Sequence, residues 1–151
     1  MTTIAYRAGV LAADSRATVD SEAGGTRLTR CEKLYRLDGC IVGLAGEASS
    51  GLVFLDWITA RLRKPNLKRP DVLIQGEADF VALVLDDNGL YEWDKWCRGE
   101  KVLEEFWAIG SGCKAALGAL HAGASAERAV EIACKIDPFS APPIVTMSLE
   151  R

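Results

Sequence analysis

The sequence predicts an α+β protein in which two antiparallel sheets stack face to face, with helices on their outer sides. Strands and helices come in blocks rather than in alternation, which disfavours a parallel βαβ sheet. Two segments, KLYRLDGCIVGLAG and FVALVLDDNGLYEW, alternate apolar residues around a polar turn, as β-hairpins do. Two others, SSGLVFLDWITARLRK and SAERAVEIACKID, carry apolar residues at helical spacing.

The predicted order is four strands, one helix, three strands, two helices and one strand. The first two strands flank Arg7-Ala8-Gly9, and the hairpins turn at Asp38-Gly39 and Asn88-Gly89. The polar stretch 15–30 contains Gly24-Gly25, so we expect a loop or an irregular strand there. The last strand is predicted in PPIVTMSL.

The first helix is predicted to begin with Ser49 or Ser50 as its N-cap and to end before Pro65. The second helix ends near Gly123, and Ser125 caps the third. No long helix is expected in PNLKRPDVLIQGEAD. The apolar positions predicted to face the core are Leu52, Leu55, Ile58 and Leu62 in the first helix, and Ala129, Val130, Ile132 and Ala133 in the third.

Length and composition predict one domain over residues 1–151, with enough apolar residues for a core. The net charge of −3 argues against a nucleic-acid or anionic-membrane partner. The basic stretch ARLRKPNLKRPD is interpreted as a solvated helix end, with a docking role as the alternative. No apolar run reaches the roughly 20 residues of a membrane span, and no signal peptide is recognisable, so we expect a cytoplasmic protein.

The five cysteines form no CxxC pair, and we expect them to be reduced and buried. His121 is the single histidine, which makes a zinc site or a histidine-based catalytic triad improbable. We therefore expect neither a metal nor an organic cofactor.

Two threonines, Thr2 and Thr3, follow Met1 directly. A threonine hydroxyl needs an adjacent base to become a nucleophile, and an α-amino group with a pKa near 7.7–8.0 can serve. Removal of Met1 would place that amine on Thr2 itself. The alternative is an ordinary strand start.

Asp14 and Lys33 lie at the ends of predicted strands. If they are buried, they would form an ion pair that favours an alkoxide; the alternative is that both side chains point into solvent.

The segments TTIAYRAGVLAADSRAT, KLYRLDGCIVGLAG, AIGSG and DPFS, in this order, resemble the proteasome β-subunit family. That family includes the HslV-type bacterial proteases and lies within the N-terminal-nucleophile (Ntn) hydrolases. The resemblance implies a four-layer αββα fold and a threonine endopeptidase in a self-compartmentalised homo-oligomeric ring. It also implies peptide or unfolded-protein substrates and raises an ATP-dependent unfoldase as a partner.

Carried over by position, the resemblance makes Thr2 the nucleophile and its freed amine the base. Lys33 would lower the effective pKa of the hydroxyl, and Asp14 would pair with Lys33. The N–H of Gly46 would stabilise the oxyanion. The residues that would position the amine are Ser111, Asp137 and Ser140.

Strand periodicity predicts that Cys31, Lys33 and Tyr35 share one face. The resemblance implies an apolar substrate subsite formed by Ala17, Cys31, Tyr35, Leu44 and Ala48. It also reveals departures: the first hairpin is short, the second long helix of the family is missing, and Glu47 stands where a small residue is common. An amidase for a non-protein amide and a non-catalytic structural relative therefore remain alternatives.

Overall fold

A computed structural model of the protein describes residues 1–75 and 79–149. Over those residues the chain forms eleven strands and four helices. The strands are β1 (Thr3–Arg7), β2 (Val10–Ala13), β3 (Arg16–Ser21), β4 (Gly25–Arg30), β5 (Leu34–Leu37), β6 (Cys40–Gly46), β7 (Phe80–Asp86), β8 (Gly89–Trp93), β9 (Gly99–Lys101), β10 (Phe106–Gly110) and β11 (Val145–Ser148). The helices are α1 (Ala48–Arg63), α2 (Asp71–Gln75), α3 (Cys113–His121) and α4 (Ala126–Ile136).

Two antiparallel sheets form the centre of the molecule. One has the strand order β10-β1-β2-β11 and the other β5-β6-β7-β8-β9. Their facing sides share one apolar cluster, in which Ile4 and Leu11 of the first sheet meet Ile41 and Leu83 of the second. The predicted face-to-face stacking is therefore confirmed.

Helices cover the two outer faces. Ala5 and Ala12 of the first sheet pack with α3 and α4, whereas Val42 and Phe80 of the second pack with Phe54 of α1. Neighbouring residues such as Ile4 and Ala5 enter different clusters because side chains alternate across a strand. The result is four layers in the order helix, sheet, sheet, helix.

The polar stretch 15–30, predicted to be a loop or an irregular strand, contains a regular hairpin. Strands β3 and β4 pair from Arg16 opposite Arg30 to Ser21 opposite Gly25, and they form a separate two-stranded sheet. Every residue of β4 is exposed, so no apolar alternation marks it in the sequence. The predicted element order was wrong here, and it also missed the short exposed β9.

The first hairpin turns at Ala8 and Gly9, which both have positive φ, as two-residue hairpin turns favour. The β7–β8 turn lies one residue earlier than predicted. Asp86 pairs with Gly89, so the loop consists of Asp87 and Asn88. Gly89 is already the first residue of β8.

Helix α1 begins differently from the prediction. Its N-cap is Glu47, and Ser49 and Ser50 lie inside the first turn. Both serine hydroxyls donate to the Glu47 carboxylate. The N–H of Glu47 donates to Asp79 O at 2.9 Å, just before β7. This bond fixes Glu47 directly after β6, so α1 begins at the next residue.

The core face of α1 was predicted only in part. Ile58 is buried and Leu55 is partly buried against the core, as predicted, but Leu52 and Leu62 are 48% and 46% exposed. Phe54 and Trp57, which the prediction left out, are buried instead. The helix carries apolar side chains on two sides, and their spacing alone does not indicate which side is buried. The aromatic side chains bury more area, and Phe54 contacts the ring of Phe80 at a centroid distance of 5.3 Å.

The remaining helices follow the sequence more closely. Ser125 caps α4 by accepting from Arg128 N at 3.1 Å, and Gly123 has φ +98° just after α3. The gap after α1 holds only the five-residue α2, and part of that predicted loop, 76–78, lies outside the described residues. None of the four helices is both long and apolar enough to cross a lipid bilayer.

The predicted core residues of α4 face the core: Ala129, Val130 and Ala133 are buried, and Ile132 is partly buried against the same cluster. Ala126, which the prediction left out, is buried as well.

The prediction for the cysteines needs correction. Of the five cysteines, Cys40 and Cys97 are buried, whereas Cys31 is exposed. Burial raises the pKa of the Cys97 thiol to about 11, which disfavours its reactive thiolate.

We predict that Phe54→Ala lowers the free energy of unfolding by about 3–5 kcal/mol, because it opens a cavity among buried aromatic rings. Leu52→Ala, two residues away on the exposed side of α1, should change it by less than about 1 kcal/mol. Urea unfolding of both variants measures the difference. Equal losses would contradict this assignment of the helix face.

Candidate active site

A pocket of about 550 Å³ opens between the two sheets, where β6 ends and α1 begins. It is bounded by the start of β3, the segment before β5 and the first residues of the chain. Side chains from segments far apart in sequence therefore meet in it. The lining residues are Met1, Thr2, Arg16, Ala17, Thr18, Cys31, Glu32, Lys33, Tyr35, Leu44, Ala45, Gly46, Glu47, Ala48 and Leu52.

The base of this pocket holds a buried ion pair. Lys33 Nζ lies 2.7 Å from Asp14 Oδ1, and the two side chains are 4% and 0% exposed. Lys33 Nζ also donates to the carbonyl oxygen of Met1 at 3.0 Å. The ammonium group is thus fixed beside the peptide bond that precedes Thr2, and the expectation of strand-end charges in solvent is wrong.

Asp14 is fully satisfied by hydrogen bonds. Its Oδ1 also accepts from Thr3 N at 2.9 Å, and its Oδ2 accepts from the N–H groups of Arg16 and Ala141, each at 3.1 Å. These donors and the Lys33 ammonium group fix the orientation of the Asp14 carboxylate. Each charge of the buried pair therefore has its counter-charge within hydrogen-bond distance.

The main-chain nitrogen of Thr2 is held by a second group of polar residues. Thr2 N donates to Ser111 Oγ at 3.2 Å, and Ser111 Oγ donates to Asp137 Oδ2 at 2.6 Å. Ser140 Oγ donates to the same carboxylate oxygen at 2.6 Å. The three residues predicted to position the terminal amine therefore lie together beside Thr2.

Ionisation of Asp137 is opposed by burial but favoured more strongly by its hydrogen bonds. The donors are the Ser111 and Ser140 hydroxyls and the N–H of Phe139, with the positive N-terminus nearby. Together they hold the pKa of the Asp137 carboxyl below its ordinary value. The site consequently contains a negative charge next to Thr2 N as well as the Lys33 cation.

The sequence did not identify Thr3 as part of this site. Its side chain is completely buried, and its Oγ1 lies 2.7 Å from Ser140 Oγ. Because Ser140 donates its own proton to Asp137, Thr3 must donate to Ser140. Thr3 thus reaches Asp14 through its N–H and Asp137 through Ser140, a connection that no spacing in the sequence reveals.

Two glycines allow this close packing. A Cβ at Gly110 would collide with the carbonyl of Thr2, and one at Gly112 would collide with Thr3 Oγ1. Gly110 also has φ +95°. The segment Gly110-Ser111-Gly112 therefore needs glycine at both ends, because the two threonines leave no room for a side chain there. Ser111 is the one residue of the three that contributes a side chain.

Gly46 lies at the end of β6 with φ +104°, and a Cβ there would come 2.8 Å from Phe80 Cα. Glu47 N donates towards β7, so Gly46 N–H points to the opposite side of the strand. On that side Leu44 N donates to Lys33 O. The neighbouring strand β5 begins only at Leu34, so it does not extend alongside Gly46. Strand alternation thus places the N–H of Gly46 on the side of the pocket that Gly46 lines, where the predicted oxyanion donor would lie.

All five residues predicted for the apolar subsite line the pocket: Ala17, Cys31, Tyr35, Leu44 and Ala48. The strand argument that placed some of them was wrong, because β5 begins at Leu34, after Cys31 and Lys33. The pocket also contains charged residues that the subsite prediction left out. They are Arg16, Glu32 and Glu47.

His121 lies away from this site, on α3, where its ring packs edge-on against Phe106 at 4.8 Å. Within residues 1–75 and 79–149, no group of three or more metal-binding side chains comes together. The polar chemistry described here thus involves hydroxyls, carboxylates, one amine and main-chain N–H groups.

No protein-family model matches the chain, and no curated protein matches its sequence. Solved structures do match its fold. HslV from Trypanosoma brucei superposes with a TM-score of 0.73 at 19% identity, with 99% of each chain covered. The chain has the HslV fold. BPH from Thiobacillus denitrificans, solved alone and in complex with epoxomicin, gives a TM-score of 0.64 at 19% identity, covering 99% of this chain and 97% of BPH. The four-layer architecture expected from the sequence, with two stacked antiparallel sheets between helices, is therefore confirmed.

We predict that Asp137→Asn lowers stability in a pH-dependent manner. The folded-state pKa of Asp137 lies below its unfolded value, so its ionised form stabilises the fold above about pH 4. This contribution disappears as the pH falls through the folded-state pKa. The difference in unfolding free energy between the wild type and Asp137→Asn should be constant near neutral pH and should shrink in acid.

Asp56→Asn is the control for loss of one carboxylate, because Asp56 is exposed on α1. A stability difference for Asp137→Asn that stayed constant down to the acid limit would contradict the role of its ionised form.

Proposed function

We propose that the chain is an N-terminal threonine peptidase, with Thr2 as the nucleophile after removal of Met1. One observation carries the proposal. The buried Asp14–Lys33 pair directs its ammonium group at the peptide bond preceding Thr2, inside the pocket, while Ser111 holds Thr2 N. The HslV fold supports the same reaction class by analogy.

In the proposed reaction the Thr2 hydroxyl attacks the carbonyl carbon of the scissile peptide bond. Its proton passes to the α-amine of Thr2 and then to the leaving amine, so the peptide C–N bond breaks and an ester forms on Thr2. The Gly46 N–H stabilises the oxyanion. Water activated by the same amine then hydrolyses the ester and frees the acid product.

The two ionised groups have different tasks. Lys33 stabilises the developing alkoxide, and its positive charge disfavours protonation of the Thr2 amine, which keeps that amine available as a base. Asp14 orients the Lys33 ammonium group through a hydrogen bond and supplies its counter-charge. Asp137 accepts from Ser111 and so orients the hydroxyl that contacts Thr2 N.

Removal of Met1 is required by this chemistry. With Met1 attached, Thr2 N is an amide without basic character, and Lys33 donates to the Met1 carbonyl. Loss of Met1 creates the amine and removes that acceptor. One donor of Lys33 then becomes available to the Thr2 hydroxyl.

The proposed substrates are peptides or unfolded proteins with an apolar side chain before the scissile bond, matching the five uncharged residues of the predicted subsite, Ala17, Cys31, Tyr35, Leu44 and Ala48. We further propose assembly into a homo-oligomeric ring in the cytoplasm, with an ATP-dependent unfoldase as a possible partner class. Cleavage of leucine- or tyrosine-ended peptides in preference to acidic or basic ones would fit this subsite.

We predict that the purified protein lacks Met1 and gains one adduct with a peptide epoxyketone, measured by intact mass. That reagent closes a ring on a hydroxyl and its neighbouring α-amine, so it reports both groups of Thr2. Thr2→Ala should form no adduct and should lose peptide hydrolysis by at least about 10³-fold.

Retained Met1 with no adduct would contradict the peptidase assignment. Loss of Met1 without an adduct, combined with turnover of small amides, would favour the non-protein amidase. Loss of Met1 with neither activity would favour a structural relative.

We predict that Thr3 is a positioning residue. Thr3→Val keeps the N–H bond to Asp14 but removes the hydroxyl that donates to Ser140. We expect kcat to fall by about tenfold with little change in KM, because the amine is misplaced rather than substrate binding lost. The pH profile of kcat should shift as well.

Thr3→Ser restores the hydroxyl and should recover most of kcat and the original pH profile. If Thr3→Val and Thr3→Ser behaved alike, the hydroxyl of Thr3 would have no positioning role.

A further inference from the structure

Two basic segments that are distant in sequence form one surface, here called the basic face. It comprises residues 61–69, at the end of α1 and beyond, and residues 94–98, between β8 and β9. Arg69 Nη1 donates to the carbonyl of Trp96 at 3.0 Å, which joins the two segments. Trp57 Nε1 donates to the carbonyl of Lys68 at 3.1 Å and fixes the first segment on the core.

The basic face has an unusual charge for this chain. It holds seven cationic side chains and a single acid, Asp94, although the whole protein has a net charge of −3. Asp94 is already paired with Arg98 at 2.9 Å. The cations of the basic face are Arg61, Arg63, Lys64, Lys68, Arg69, Lys95 and Arg98.

Most of these charges face solvent. Arg63, Lys64, Lys68 and Arg69 are exposed, and among the described residues none of them has a carboxylate within ion-pair distance. Crowding like charges on one rigid surface is unfavourable unless counter-charges are supplied from outside. The basic face therefore presents a preorganised site for anionic groups.

We propose that the basic face docks a carboxylate-rich polypeptide segment of a partner protein. Glutamate and aspartate side chains match arginine forks and lysine ammonium groups on a surface of this size. Trp96 argues against a single-stranded nucleic acid as the partner. Trp96 is 43% exposed, but Lys95 Nζ and Arg98 Cζ lie 5.0 and 5.2 Å from the centroid of its ring, so cations already contact the ring on which a base would stack.

The basic face and the candidate active site lie at opposite ends of α1. The pocket includes Ala48, the first residue of this helix, whereas the basic face begins at Arg61. Sixteen residues of α-helix span about 24 Å. An acidic segment bound at the basic face would leave the pocket open, so docking is independent of whether Thr2 is catalytic.

Fluorescence anisotropy tests the proposal with a labelled peptide of alternating glutamate and serine. The comparison peptide has glutamine in place of glutamate, and a labelled single-stranded oligonucleotide represents the nucleic-acid alternative. We expect binding of the glutamate peptide only, weakening as salt rises.

The test variant is Lys64→Glu/Lys68→Glu, and the matched control is Arg27→Glu/Arg30→Glu on the exposed β4 strand. Both change the net charge equally. We expect the test variant to weaken binding of the glutamate peptide by at least about tenfold and the control to leave it nearly unchanged. Unfolding curves of both variants check that the fold is retained.

Equal weakening by both variants would mean attraction by overall charge alone and would overturn the proposal. Tighter binding of the oligonucleotide than of the peptide, lost in the test variant, would assign the basic face to nucleic acid instead. Absence of peptide binding at low salt would also overturn it. None of these outcomes depends on peptidase activity.

Discussion

The buried Asp14–Lys33 ion pair is the interaction on which the site is built. Asp14 accepts from the main chain of Thr3, Arg16 and Ala141, so one carboxylate joins β1, β3 and the segment before β11. Lys33 brings the segment preceding β5 of the other sheet to the same point. Loss of either partner would leave an uncompensated buried charge, which costs about 3–5 kcal/mol. The same two residues therefore place the charges of the site and hold the surrounding chain segments together.

A second carboxylate, Asp137, complements the first from the other side of the threonines. Thr3 contacts Asp14 through its N–H and reaches Asp137 through Ser140, so the start of β1 is held between two anions. The glycines at 110 and 112 make this approach possible, since any Cβ there would overlap Thr2 or Thr3. A rigid, water-poor environment with fixed charges is what the proposed threonine chemistry needs, because preorganised groups require no rearrangement during reaction.

Helix α1 separates two chemically distinct surfaces. Its first turn borders the pocket, which is lined by the N-cap residue Glu47 and by Gly46 at the end of β6. Its last turn contributes Arg61 and Arg63 to the basic face. The aromatic side chains in its middle, Phe54 and Trp57, anchor the helix on the second sheet and so fix the distance between the two surfaces. The proposed docking at one end and the proposed chemistry at the other can thus be tested independently by substitution.

The sequence by itself determined the alternating core strands, the layer order, the Ser125 cap and the candidate roles of Thr2, Asp14 and Lys33. The strands, the layers and the cap follow from local periodicity and residue chemistry, which can be read along the chain. The roles of Thr2, Asp14 and Lys33 rest in addition on the resemblance of the ordered motifs to a known family. The β3–β4 hairpin, the buried face of α1 and the N-cap at Glu47 were decided by tertiary structure. An exposed hairpin shows no alternation of apolar residues in the sequence. In a helix with apolar residues on two sides, packing against the sheet determines which side is buried. Only the folded chain placed Thr3 between two carboxylates and joined residues 61–69 to residues 94–98, because such contacts arise where strands and loops distant in sequence meet in space.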